Sequence, residues 1–504
     1  MVSTLSCGAA QLLARISVLA LTLLASGCAV QPDRHFADHA IEVNGDGDIV
    51  PVMEPPRAER EALPGGPAPK FAAPTKDYKD PIERLFGRAG ESGKDVLIFV
   101  HGGLVSFKDS MERTNLLVQR YDEDAPRRLD NYYPIMINWD SDLGHSYGEH
   151  LFAVRQGEKW TGGTWGTVAA LESPMYFGAD LGRSVVRAPI DILYTAEHNV
   201  GAIPRIRNAV SRPAVNSRVL YDEIRKQQQP GMVSVGAPRT FNWKTPFRTV
   251  VNIVTFPFQM LFSPIIDGFG TPAWENMQRR TKNLDNLPEE FDVNGDPKKA
   301  AAVLKQPPEA VVTEFARQVS TFAQLHPKVR ITLVAHSMGA FIVNDLVHRT
   351  PDVPYANIVY MAGADSMRNT RDSLVPYLQD HKDTQLYILT LHPQAEIEES
   401  HVLGLAPRGS LLVWIDDFLS SPLTYFDRTI GRWDNVIQGY PEFEPVRGQV
   451  HIKAFDQTSQ IQAHGDFGGA CFWQKEFWTP GDDGKDAWED ESYASNPNAC
   501  VRGR

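Results

Sequence analysis

The segment Ile331-Thr-Leu-Val-Ala-His-Ser-Met-Gly-Ala340 constrains this chain more than any other. It opens with an unbroken apolar run, the pattern of a strand buried on both faces in a parallel sheet. It then passes Ser337 and enters Ala340–His348, whose apolar positions repeat at helical spacing. A strand that turns sharply into a helix lifts the residue at the turn clear of the sheet. Small residues two positions either side permit that turn, and Ala335 and Gly339 stand there. Ser-x-Gly alone says little; the flanking strand and helix make Ser337 a candidate nucleophile. The plainer alternative is a serine that caps a helix after a buried strand.

The same rhythm recurs along the chain. Asp95–Val100 and Tyr133–Asn138 read as buried strands, with helical spacing over Met111–Tyr121 between them. Pro308–Leu325 reads as a helix carrying Val312, Phe315, Val319 and Phe322 on one face. The strands Val329–Ala335, Ala356–Met361, Gln385–Leu391 and Gln449–Phe455 follow. Strand and helix in alternation predict an α/β fold with a mostly parallel, doubly wound sheet. From about 141 to 306 the rhythm is lost, and apolar stretches such as Val185–Tyr194 and Val250–Phe262 lie between Pro and Gly. That region reads as a large helical insertion, a cap or lid, or else as more core. Pro257 interrupts the second stretch, which is too short for a clear membrane span.

Acyl chemistry at a serine needs donors aimed at the developing oxyanion and a base within reach. His101-Gly102-Gly103 closes the strand Asp95–Val100, and glycines there let the backbone approach a substrate. The expected donors are the backbone N–H of Gly103, with Leu104 as its alternative, and that of Met338 just after the nucleophile. His101, at the strand end, is expected to orient the loop. For the base, His464 lies in a loop after the last strand, whereas His451 begins that strand and His401 comes earlier. Two carboxylates stand at strand ends where an orienting acid is wanted: Asp365 and Glu396, with Asp456 behind them. Residue pattern leaves that choice open. No spacing such as His-Glu-x-x-His appears, and neither a metal nor a cofactor is implied.

With 504 residues and a net charge of −12, the chain is large enough for one big domain and lacks the basic face that a nucleic-acid partner requires. Its start reads as an export signal over residues 1–27: Arg15, the apolar run Ile16–Leu24, then Ala25-Ser26-Gly27-Cys28. A Pro-rich tether is expected over 28–80, the catalytic body over 81–480 and a tail over 481–504. Of the four cysteines Cys7 lies in the signal and Cys28 directly after it, which leaves Cys471 and Cys500 as a disulfide pair or as two free thiols.

Two resemblances follow. Ala25-Ser-Gly-Cys28 is similar to the lipobox of bacterial lipoproteins, in which the Cys is acylated and becomes the new N-terminus. Ala29 after it implies an outer-membrane address, and the membrane would then be a partner through a lipid anchor on Cys28. His101-Gly-Gly, Ile137-Asn-Trp-Asp-Ser141, Ala335-His-Ser-Met-Gly339 and the late His464 resemble the α/β-hydrolase superfamily, within it a branch of bacterial lipase-like serine hydrolases. The resemblance covers about 95–140 and 308–470 and leaves out the insertion. It implies cleavage of carboxylic esters, of hydrophobic acyl groups or lipids, through an acyl-enzyme on Ser337. Acyl transfer by the same residues, or a surface lipoprotein that kept the fold without the activity, are the alternatives.

Overall fold

A computed structural model of the chain describes residues 35–53, 70–121, 132–155, 157–160, 163–201, 232–235, 244–285, 310–401, 404–455, 461–469 and 472–479. Cys28, Asp456, Cys471 and Cys500 lie outside the described residues, as do the expected signal and tail.

Eight strands form one sheet in which every pairing is parallel. In chain order they are β1 (Ala40–Val43), β2 (Asp95–Val100), β3 (Tyr132–Trp139), β4 (Met232–Val235), β5 (Ile331–His336), β6 (Tyr355–Met361), β7 (Gln385–Leu391) and β8 (Val450–Phe455). Across the sheet the order is β1-β3-β2-β5-β6-β7-β8-β4. The central strands are buried at nearly every position, which is why they read as continuous apolar runs rather than alternations. Two of the eight escaped the sequence reading. β1 falls inside the expected tether, yet it pairs with β3 and buries Ile41 and Val43. The chain therefore enters its fold well before residue 81. β4 interrupts the expected helical insertion and pairs with β8 at the far edge.

Helices connect and flank the strands: α1 (Lys79–Ser92), α2 (Phe107–Tyr121), α3 (Leu143–Phe152), α4 (Gly163–Gly201), α5 (Lys244–Asp285), α6 (Val311–Leu325), α7 (Gly339–Arg349) and α8 (Met367–Asp380). α6 buries Val312, Phe315, Val319 and Phe322, the stripe its spacing predicts, and Phe86 of α1 meets Phe315 and Phe322 edge-on or tilted.

The strand order carries one functional consequence. From β2 the chain steps sideways to β3, whereas from β5 it steps the other way, to β6, β7 and β8. The point of reversal lies between β2 and β5, which pair directly from Val96↔Ile331 to Val100↔Ala335. In open parallel sheets the crevice for a ligand opens at such a point, at the carboxyl ends of the strands. Those ends are His101-Gly102-Gly103 and His336-Ser337-Met338.

The insertion is built from α3, α4 and α5, and α4 lies against α5. Buried charges fix these helices to one another and to the body. Asp267 of α5 receives Arg183 and Arg187 of α4, each at 2.5 Å. Arg280 of α5 reaches Glu149 of α3 at 2.9 Å and Asp140 after β3 at 3.2 Å. His198 near the end of α4 bonds to Asp417 at 2.9 Å. Pairs this well buried are costly to break one partner at a time, since the survivor keeps its desolvation penalty.

Candidate active site

Ser337 sits at φ +51°, in the left-handed region that a residue with a Cβ seldom adopts. Holding a serine there costs about 1–2 kcal/mol, so surrounding contacts must enforce it. They are visible. The Ser337 N–H donates to Met361 O at 3.0 Å, tying the turn to β6, and Ser337 O accepts the N–H groups of Ala340 and Ala364. On the other side stands the turn after β2. A Cβ added to Gly102 would meet Ser337 Cβ at 2.6 Å, and one added to Gly103 would meet Met338 Sδ at 2.5 Å. Gly339 is equally confined: its Cβ would meet Val100 O at 2.4 Å. Gly339 lies against the backbone of Val100 and His101, and Gly102 and Gly103 lie against the Ser337 Cβ and the Met338 side chain, so the close approach of the two strand ends leaves little room for a Cβ at these positions.

Backbone donors at this contact divide clearly. Leu104, itself at φ +59°, donates its N–H to Ser141 O at 3.0 Å. That removes Leu104 as the alternative oxyanion donor. Neither Gly103 nor Met338 donates its N–H to any described residue. His101 works as a latch: Nδ1–H donates to Gly102 O at 2.7 Å, and Nε2 accepts the Trp139 N–H at 3.0 Å. Both nitrogens are engaged in the neutral form, and burial pushes the ring's pKa down to about 4.

His464 lies in a short helical turn, His464–Gly469, beside the end of β5. Its carbonyl accepts from His336 Nε2 at 3.1 Å, and the two imidazole centroids are 5.1 Å apart. Its own Nδ1 and Nε2 have no hydrogen-bond partner among the described residues, and neither has Ser337 Oγ. In this conformation, then, no bond joins His464 to Ser337. Burial, with a smaller push from His401, lowers the His464 pKa to about 3, so the ring is neutral and able to accept a proton. Burial likewise lowers that of His336.

The two expected acids are occupied elsewhere. Asp365 accepts from Asn344 Nδ2 at 2.6 Å, Asn369 Nδ2 at 2.5 Å and the Ser366 N–H at 2.7 Å. It clamps α7 to α8, and burial raises its pKa to about 6 against those three donors. Glu396 is buried beside Arg432, 3.5 Å away, within a cluster that also holds Asp416 and Asn435. Burial raises its pKa well above the carboxylate range. Neither makes a hydrogen bond to His464. The carboxylate that does touch His464 is Glu399, whose Oε2 accepts the His464 backbone N–H at 2.9 Å while Oε1 lies 3.5 Å from His401 Nε2. No local pattern in the sequence marks it: Glu399 stands just past the short helix Pro393–Glu398.

Ser337 has no exposed surface, and His464 is 5% exposed. A substrate reaches them only after neighbouring groups move. A cavity of about 650 Å³, lined by Tyr425, Arg428 and Arg432 among others, does not include either residue. Among the described residues no group of His, Cys, Asp and Glu is arranged to hold a metal ion. Compared with protein families, characterised proteins and solved structures, the chain matches none.

The strain at residue 337 has a measurable consequence. Ser337→Gly relieves the left-handed penalty, whereas Ser337→Ala keeps a Cβ and does not. In chemical denaturation the glycine variant is expected to be more stable than the alanine variant by about 1 kcal/mol. Equal stabilities would mean that the turn is not held in the left-handed region.

Proposed function

We propose that the chain is a serine hydrolase of the α/β-hydrolase type that cleaves carboxylic esters of hydrophobic acyl groups, with Ser337 as nucleophile. One observation carries the reading. At the reversal point of the sheet, a serine is held at φ +51° between strand and helix, with a glycine turn packed against it and two backbone N–H groups left uncommitted. A strained serine beside free donors is costly for a fold and useful for acyl transfer.

In the proposed reaction Ser337 Oγ attacks the ester carbonyl as His464 takes its proton. The carbonyl oxygen, now anionic, accepts from the N–H groups of Gly103 and Met338. Collapse expels the alcohol, protonated by His464, and leaves the acyl group on Ser337. Water, deprotonated by His464, then releases the acid. Proton transfer requires the His464 ring and Ser337 Oγ to approach within hydrogen-bond reach, a contact that often tightens only with substrate bound. Glu399 holds the His464 loop through its backbone, while Glu396 and Asp365 would have to leave their present partners to orient the ring. The apolar and aromatic content of the insertion supports a hydrophobic acyl group. Export and a lipid anchor on Cys28, with an outer-membrane address, belong to the same proposal and place the enzyme beside membrane lipids.

Kinetics test it. Ser337→Ala is expected to lower the rate of p-nitrophenyl ester hydrolysis by at least about 10³-fold, with its melting temperature near that of the parent. Activity that survives the substitution would remove Ser337 from the reaction. The pH profile tests the base. An imidazole whose pKa lies at about 3 stays neutral as the pH falls through the usual histidine value of about 6.5. kcat/KM should therefore hold from pH 8 to about pH 5 and fail only at lower pH. An acidic limb centred near pH 6.5 would point to an exposed base instead.

A further inference from the structure

The polarity of the long helix pair α4 and α5 is inverted. In a protein surrounded by water, charged residues lie outside and apolar ones inside. Here the charges of the pair are turned inward: Asp180, Asp191 and Asp267 are buried, and Arg183 and Arg187 bend in to meet Asp267. The outer faces carry the hydrocarbon. Val186 is 78% exposed, Leu171 75%, Met175 74%, and Leu261 and Val254 66% each. Between residues 173 and 196 of α4, and between 254 and 265 of α5, every exposed residue is Gly, Ala, Pro or a larger apolar type. The sequence has no Asp, Glu, Lys or Arg from 249 to 266. An ordinary monomer leaves an apolar patch of roughly 300–600 Å² at most. Two helices of 39 and 42 residues with such faces present far more.

We propose that the outward face of α4 and α5 docks into the surface of a phospholipid bilayer, independently of any acyl chain on the N-terminal segment. Three observations select lipid over a protein partner. A protein interface of this size carries a hydrogen bond for about every 100–200 Å², with polar residues at its rim. The fully exposed positions of these stretches carry no polar side chain, and the part-exposed Arg183 and Arg187 are already committed to Asp267. Hydrocarbon asks for none. Second, the aromatic pair Trp160 and Trp165, with ring centroids 5.0 Å apart, stands at the start of α4, and Trp165 is 65% exposed. Indole rings at the end of an apolar face match the boundary between headgroups and acyl chains. Third, none of the described helices is long and apolar enough to cross a membrane. The charges on the inner faces stay with the protein through Asp267, and through His198 to Asp417. The pair therefore lies along the surface with one face immersed, as amphipathic helices do. This inference does not depend on the esterase reading.

The test is vesicle flotation of the full chain carrying Cys28→Ser, which removes the candidate acylation site, with phosphatidylcholine–phosphatidylglycerol vesicles. It is compared with the same chain carrying Val186→Asp, Leu193→Asp and Leu261→Asp. Both share the N-terminal segment, so any difference belongs to the helix pair. The expected result is at least a tenfold fall in the bound fraction, with the melting temperature unchanged. Serine at the same three positions, which adds no charge, should give a smaller fall in the same direction and guards against misfolding of the aspartate variant. The proposal is overturned if both variants float as the parent does, or if the parent does not float. It is also overturned if the substitutions only convert an oligomer to a monomer in size-exclusion chromatography without loss of flotation, since a protein partner would then cover the face.

Discussion

The contact between the ends of β2 and β5 is the constraint from which the rest of the site follows. Gly102 and Gly103 press on Ser337 and Met338, and Gly339 presses on the carbonyl of Val100. The close approach packs the glycine turn against Ser337, which stands in a conformation it would otherwise avoid, and the N–H groups of Gly103 and Met338 flank that contact without a partner among the described residues. The sheet makes it possible by pairing β2 directly with β5, although some 230 residues separate them in the chain and the whole insertion lies between.

Buried polar groups run outward from this centre. His101 ties the glycine turn to Trp139 at the end of β3, and Asp365 ties α7 to α8. Farther out, Asp416, Arg432 and Asn435 form a cluster next to Asp417, which holds His198 of the insertion. The insertion is thus joined to the body by charge, while its outer faces are apolar.

Much of this was legible in the sequence, and the exceptions have physical causes. β2, β3, β5 and β7 announced themselves because strands buried on both faces are apolar at nearly every position, and β6 and β8 by their place in the same rhythm. β1 and β4 did not, because four residues such as Ala40-Ile-Glu-Val43 are too few to show a period and lie among Pro and charge. The turn at Ser337 was readable from its small neighbours, and the glycines at 102 and 103 from their place at a strand end. The carboxylate that touches His464 was not readable. Glu396 and Asp365 stand at strand ends as a simple rule would have it, but Arg432 and the amides of Asn344 and Asn369 engage them, and those partners come from distant elements. Glu399 meets His464 across 65 residues of chain, a contact that no local pattern encodes.

Whether the strained Ser337 is an activated nucleophile is decided by treating the folded chain with a fluorophosphonate and mapping the adduct by peptide mass spectrometry. A single adduct on Ser337, formed by the parent and lost after heat denaturation, is the expected result. Absence of any adduct, or one on another residue, would contradict it.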